Sequence, residues 1–180
     1  MGVEKFYLKT RERTVASING TTGNDILNGT SDSDVIHGGA GNDQIHGFGG
    51  VDVIYSDGGA DDIWGGAGGD MITGNNTNLV LVHYDEDPAG VTVNLRFGTA
   101  TLGTATDGWG DRDTLSQIYG VVGSGFNDTL TAFGATSSVL LAGWNGDDKI
   151  TGGWGNDGLL GGDGNDTIDG GDGVSGFGNL

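Results

Sequence analysis

A nine-residue period governs this chain. From Gly20 the sequence divides into consecutive rows GTTGNDILN, GTSDSDVIH, GGAGNDQIH, GFGGVDVIY, SDGGADDIW and GGAGGDMIT. The sixth place of each row is Asp (Asp25, Asp34, Asp43, Asp52, Asp61, Asp70), and the eighth is a large aliphatic (Leu27, Ile36, Ile45, Ile54, Ile63, Ile72). Six rows without a slip are no accident of composition. The period returns at 123–131 as GSGFNDTLT, with Asp128 and Leu130 in the two diagnostic places. The stretch 132–142 is two residues too long and lacks the Asp. GWNGDDKIT, GGWGNDGLL and GGDGNDTID then carry Asp148, Asp157 and Asp166 with Ile150, Leu159 and Ile168. A last row from Gly170 decays, with Ser175 at the Asp place.

Each residue type has a physical reason to recur. Glycines early in a row permit positive φ and a tight turn. The β-branched end of the row suits a strand of two or three residues. Its aliphatic side chain points inward and cannot be buried by one row alone, so the rows must stack. Stacking predicts an all-β fold with one row above another and the Asp carboxylates crowded at the turns.

Crowding sets the energetics. The chain of 180 residues holds 40 glycines, and only 34% of it is hydrophobic, so an ordinary core would be thin. Acids outnumber Lys and Arg by 25 to 7, for a formal charge of −18, and 22 of the acids are Asp. Low hydrophobicity with high charge ordinarily predicts disorder. Two carboxylates about 5 Å apart repel by roughly 3 kcal/mol at an effective dielectric of 20. Repeated along a stack, that outweighs a buried Ile per row, worth about 1.5–3 kcal/mol. A hard divalent cation reverses the sign. Oxygen-only ligands suit Ca²⁺, with its six to eight flexible contacts, better than octahedral Mg²⁺.

Composition also excludes. So anionic a chain repels phosphate, which removes nucleic acid as a partner. With no Cys there is no disulfide framework, thiolate catalyst or Cys-type zinc site. No apolar run approaches a membrane span, and the N-terminus lacks the apolar stretch of a secretory signal peptide.

The rows resemble the nonapeptide G-G-x-G-x-D-x-U-x of the repeats-in-toxin (RTX, hemolysin-type calcium-binding) family. Gly38–His46 and Gly161–Asp169 match it fully, and the likeness covers about 20–73 and 123–169. The resemblance implies a parallel β-roll, a right-handed β-solenoid in which two rows make one turn and Ca²⁺ lies between rows i and i+2. It places Asp25, Asp43 and Asp61 on one edge and Asp34, Asp52 and Asp70 on the other. The first block would enclose roughly four ions, and the second two or three, with Asp128, Asp148, Asp157 and Asp166 as further metal ligands. Ser56 opens its row without Gly, and Gly29–His37 has Ser and Asp at glycine places; there either the turn is strained or a side chain replaces a carbonyl. The long row at 132–142 is not expected to complete a site with Asp157.

Four segments follow: 1–19 as a capping strand or tail, 20–73 as the first repeat block, 74–122 as an inter-block β segment continuing the roll, and 123–180 as the second block. In the inter-block segment Leu79–Tyr84 is strand-like, Asp85–Gly90 reads as a turn, and Val91, Val93, Leu95 and Phe97 alternate with polar residues, the mark of a half-buried strand. This segment is similar to one often found between RTX blocks, and wider coils of one elongated domain are expected. Four of the seven basic residues (Lys5, Lys9, Arg11, Arg13) lie in the first thirteen.

Other candidates reduce to simpler readings. His37 and His46 fall at the ninth place and face solvent on opposite sheets, so with His83 they make no metal or catalytic site. His83-Tyr84-Asp85-Glu86-Asp87 is read as a calcium-binding or solvated turn rather than paired carboxylates for acid–base work. As an EF-hand loop it fails, because its twelfth place is Arg96 where Glu is needed. The G-x-G-x-x-G patterns at Gly153–Gly158 and Gly171–Gly176 open no helix and follow from glycine content. No H-E-x-x-H or G-x-S-x-G occurs. Trp64, Trp144 and Trp154 sit on repeat rows, where packing is favoured over sugar stacking.

The expected function is a non-enzymatic, calcium-binding structural module of a secreted bacterial protein, folding as extracellular Ca²⁺ binds. The resemblance implies export by a type I (ABC) exporter. Two alternatives remain open: an accessory module of an extracellular protease, lipase or polysaccharide-modifying enzyme, and an adhesin or surface-layer segment that binds cell-surface glycan.

Overall fold

Each row of the first block makes one strand of three or four residues centred on its aliphatic, then turns. In the computed structural model, which describes residues 15–75, 77–97 and 102–171, these are β2 (Ile26–Asn28), β3 (Asp34–His37), β4 (Gln44–His46), β5 (Val53–Tyr55), β6 (Asp62–Trp64) and β7 (Met71–Thr73). They are preceded by β1 (Ala16–Asn19) and followed by β8 (Leu81–His83). The inter-block segment adds β9 (Thr92–Arg96), β10 (Gly103–Thr106), β11 (Arg112–Ser116) and β12 (Gly120–Val122). The second block supplies β13 (Thr129–Phe133), β14 (Leu140–Asn145), β15 (Lys149–Thr151), β16 (Gly158–Asp163) and β17 (Thr167–Asp169). Among the described residues there is no helix.

Apart from β9, β10 and β11, successive strands alternate between two sheets. A ten-stranded sheet runs β1-β3-β5-β7-β11-β10-β9-β13-β15-β17, and a seven-stranded sheet runs β16-β14-β12-β8-β6-β4-β2. Rows i and i+2 are therefore in-register parallel neighbours, as Ile36↔Ile54 and Ile45↔Ile63 show. The result is a parallel β-roll, the solenoid expected of stacked rows.

The core is the line of eighth-place side chains between the sheets. One ladder runs Leu27, Ile45, Ile63, Val82, Val121, Leu141, Leu159 across the smaller sheet. The facing ladder runs Ile18, Ile36, Ile54, Ile72, Leu115, and resumes as Val93, Leu130, Ile150, Ile168. Ile36, Ile45, Ile54, Ile63 and Ile72 are wholly buried. Only the outermost rungs, Ile18, Leu27 and Ile168, are partly open.

The inter-block segment departs from the wider coils expected. Strands β9, β10 and β11 form an antiparallel meander inserted in the ten-stranded sheet, while β8 and β12 pair directly in the other sheet. The larger sheet thus gains β9 and β10 with no counterpart opposite. Their inward residues taper to Gly103 and Ala105 on β10. On β9 the predicted alternation holds, with Val91, Val93 and Leu95 buried and Thr92, Asn94 and Arg96 exposed.

The row at 132–142 also differs from its sequence reading. Ala132 and Phe133 lengthen β13, and the nine-residue register restarts at Gly134, with Val139 in the sixth place and Leu141 in the eighth. The basic cluster before Thr14, and the decayed row beyond Gly171, lie outside the described residues.

Candidate metal centre

Every sixth-place Asp enters the roll edge by the same route. The strand carries its eighth-place neighbour inward, and the turn folds the carboxylate back over the first residue of its own row. At Gly38 an added Cβ would lie 2.6 Å from the Ser56 carbonyl oxygen and 3.1 Å from Asp43 Oδ2. Only hydrogen fits there, which is why glycine opens most rows. Gly41, at φ 124°, is equally committed: a Cβ would meet the Gly23 carbonyl at 2.6 Å.

The carboxylates are wired from coil to coil. Oδ1 of Asp43, Asp61, Asp52 and Asp70 accepts the backbone amide of Asp25, Asp43, Asp34 and Asp52 at 2.8–2.9 Å. In the second block Asp148 and Asp166 accept from the amides of Asp128 and Asp148. The edges divide as expected. Asp25, Asp43, Asp61 and Asp157 precede strands of the smaller sheet, whereas Asp34 opens a strand of the larger one and Asp52, Asp70, Asp128, Asp148 and Asp166 precede its strands.

One ladder member was not anticipated. Asp113 lies in the sixth place of Gly108–Ser116 (GWGDRDTLS), with Leu115 in the eighth, and accepts the Asp70 amide at 2.9 Å. Its D-x-L signature was in the sequence, but only one of the row's glycines falls at an expected place.

The second oxygen, Oδ2, separates the corners into two kinds. Where the second residue of the row keeps a negative φ, its amide closes the carboxylate: Thr21 on Asp25, Thr30 on Asp34, Ser124 on Asp128 and Gly153 on Asp157, at 2.6–2.7 Å. Where that residue has positive φ (Gly39 95°, Phe48 71°, Gly66 85°, Trp144 84°), no such bond forms. Oδ2 of Asp43, Asp52, Asp70 and Asp148 is then buried without a hydrogen-bond partner. A positive φ at Phe48 or Trp144 costs about 1–3 kcal/mol, so these open corners are held against local preference. Asp61 is intermediate: Asp57 has φ 62°, but the Ser56 hydroxyl donates to Asp61 Oδ2.

A buried carboxylate oxygen without a donor costs on the order of 1–3 kcal/mol, more when charged. Burial accordingly pushes Asp52 and Asp148 up to about 6 and Asp70 to about 8, with neighbouring carboxylates adding to the shift. Burial raises Asp61 and Asp128 as well. Among the described residues no Lys or Arg pairs with any of them; the ion pairs present all involve histidine. Nor do three His, Cys, Asp or Glu side chains converge into a cage. The corners offer one or two carboxylates amid turn carbonyls, a hard, oxygen-only donor set that fits Ca²⁺ and not a soft metal.

The histidines form no such centre. His46, Trp64 and His83 stack face to face on the smaller sheet at 4.4 and 4.3 Å, and His37 stacks on Tyr55 across the other at 4.6 Å. Trp64 also donates its indole N–H to Asp85 at 2.9 Å. Its faces are covered, which removes it as a sugar platform. Trp144 and Trp154 remain about half exposed.

Parallel coils with carboxylate-lined corners define a repeat solenoid built to take up oxygen-loving cations. The family model described as RTX calcium-binding nonapeptide repeat matches in four copies, at 19–50, 46–78, 122–159 and 159–174, and the chain belongs to that family. No curated protein matches it. The chain therefore carries a calcium-binding repeat module. Among the described residues no helix is long and apolar enough to cross a membrane.

Proposed function

We propose that this module is a calcium-folded structural element of an exported bacterial protein. Millimolar extracellular calcium drives its folding, and its sites stay empty during passage through a type I exporter. The observation that carries this reading is the row of buried, donorless Oδ2 atoms at Asp43, Asp52, Asp70 and Asp148. Without a cation they oppose folding; with one they become the link between coils.

On this reading the ions sit at the open corners. The open corners Asp43, Asp52, Asp70 and Asp148, with Asp61 and Asp166, whose second residues Asp57 and Gly162 also have positive φ, each share an ion with the row stacked before them, which carries Asp25, Asp34, Asp52, Asp128, Asp43 or Asp148. Asp157 faces Val139 in that row, which brings no carboxylate, and its own Oδ2 is already closed by Gly153. A structural rather than catalytic role is supported by how these carboxylates are spent, each tied to an amide of the neighbouring coil. The test is a calcium titration of the metal-free chain followed by circular dichroism. A disordered spectrum turning β-rich with calcium, and reverting with chelator, is expected. A β-rich spectrum indifferent to chelator overturns the reading.

A further inference from the structure

The nonapeptide rows leave a gap in the acidic edge of the larger sheet, between Asp113 and Asp128, where β10 and β9 are inserted. Two non-repeat carboxylates fill it. Asp87 lies in the turn from β8 to β9, and Asp107 opens the turn from β10 to β11; they are 7% and 3% exposed. The turns are clasped together: the Gly108 amide donates to Asp87 Oδ2 at 2.8 Å, and a Cβ on Gly108 would strike the Ala89 carbonyl at 2.6 Å.

Asp107 spends only half its carboxylate locally. Oδ1 accepts the amides of Trp109 and Asp111 at 3.0 and 2.7 Å, which is all the turn needs. Oδ2 is buried and has no partner. Of the charges acting on Asp87, Asp107 is the strongest, followed by Asp113 and Asp128; Asp107 also presses on Asp113 and Asp70. Asp87, Asp107 and Asp113, with Asp111 beside them in the chain, thus carry like charge along this edge with no Lys or Arg paired to them among the described residues. Asp113 has one oxygen on the Asp70 amide and the other on the Tyr84 hydroxyl at 3.0 Å. Asp107 Oδ2 is left buried with no donor, an arrangement a folded chain tolerates for a charged carboxylate only with a counter-ion or a shared proton.

We propose that the two turns clasped through Gly108 hold a Ca²⁺ site of their own, with Asp87 and Asp107 as its carboxylate ligands, separate from the nonapeptide corners. Side chains alone close no cage here, so turn carbonyls and water complete the oxygen set, as is habitual for Ca²⁺. Such an ion ties the inserted meander to the stack at the point where the roll's regular corners are interrupted. The proposal rests on the module being calcium-folded, but its residues lie outside the repeats that define the family.

The test counts calcium on the full chain, by native mass spectrometry and by metal analysis after dialysis against calcium. D107N keeps the oxygen that caps the turn and removes the charge. It is expected to carry one ion fewer than the wild type, with its β spectrum intact. E86Q, an exposed change in the same acidic run, keeps the full count. Should D107N fail to fold in calcium, D87N is counted instead, since it leaves the Asp107 turn bonds untouched, and the same loss is expected. A D107N or D87N chain with the wild-type count overturns this site alone. A wild-type chain carrying no calcium overturns this site and the calcium-folded reading together. Loss of that ion to an equal excess of Mg²⁺ overturns its assignment to calcium.

Discussion

The sixth place of a row is filled in two ways, and the two regions that result are glued by opposite means. From Asp43 to Asp70 it is a buried carboxylate whose outer oxygen has no donor, except where Ser56 intrudes. At Val80, Val91 and Val139 it is a buried valine, at most 3% exposed. The backbone around the two is alike. Val91 and Val139 still donate their amides to Asp128 and Asp157 on the next coil, at 2.8 and 3.0 Å, as Asp25 does to Asp43. The turn is common property; its side chain decides whether the corner needs a cation. A valine corner gains about 1.5–3 kcal/mol by burial whatever the solvent holds. An aspartate corner is unfavourable until its charge is met. On the proposed reading, metal dependence is therefore written row by row.

The widest test of this contrast is calcium removal at neutral pH. Chelation is expected to abolish most of the β signal, since opposed charges at four or more corners exceed a marginal folding free energy of about 5–15 kcal/mol. Hydrogen exchange early after chelation shows where loss begins. Amides of 35–73, between aspartate corners, should lose protection before those of β12 and β14, whose Val121 and Leu141 pair beside a valine corner. Simultaneous loss in both regions breaks the row-by-row account, because one cooperative unit then carries both.

Next in size is pH. In the metal-free chain Asp52 and Asp148 sit at about 6 and Asp70 at about 8, all raised from 3.8 by burial. A folded pKa above the unfolded one means that the folded state binds the extra proton. The stabilisation is then full below about pH 4 and lost as pH rises through 6 to 8. By circular dichroism, the metal-free chain should regain at pH 5 β structure that it lacks at pH 8. With saturating calcium the order reverses, because the ion takes the deprotonated carboxylate. Parallel pH trends with and without calcium would sink the idea that proton and ion compete for the same oxygens.

Much of this was legible in the sequence, and the failures have physical causes. Asp at the sixth place and an aliphatic at the eighth marked the edges and the core, because strand alternation fixes which side chain points in. Val139 and Asp113 were overlooked for one reason: their rows, 134–142 and 108–116, keep the strand end of the pattern but depart from it in the turn. The meander was not foreseen because strand order within 92–116 depends on pairing across distant coils, which no local period encodes. Asp87 and Asp107 are twenty residues apart and share an edge only because two turns fold together there, through the Gly108 amide on Asp87. The division into open and closed corners was half visible, in Thr21, Thr30 and Ser124 at second places. Gly153 shows why residue type alone does not suffice: it closes Asp157 although it is glycine.

A single substitution sharpens the comparison further. Asp70→Asn removes the charge from the most strongly shifted open corner while keeping a side chain of the same shape. In calcium at about a hundred times the dissociation constant, losing one site costs roughly 2.7 kcal/mol, or about 5–10 °C in melting temperature for a chain of this size. With calcium lowered until the wild type is only marginally folded, the same variant should melt higher than the wild type, because a donorless buried charge is gone. The change of sign between the two buffers is the signature. A variant that loses stability in both is reporting a packing role for Asp70.

The smallest effect belongs to a closed corner. At Asp128 the Ser124 hydroxyl donates to Oδ1 at 2.7 Å while the Ser124 amide holds Oδ2. Ser124→Ala removes the first bond and leaves the second, for about 1 kcal/mol, or roughly 2–4 °C. Since the amide already meets Oδ2, the loss should be equal with calcium bound and with only part of the calcium removed, and the ion count should not change. A larger loss in calcium than without it would mean that an ion rests on Asp128 from its own row. The boundary between open and closed corners would then lie elsewhere than in the second residue's φ.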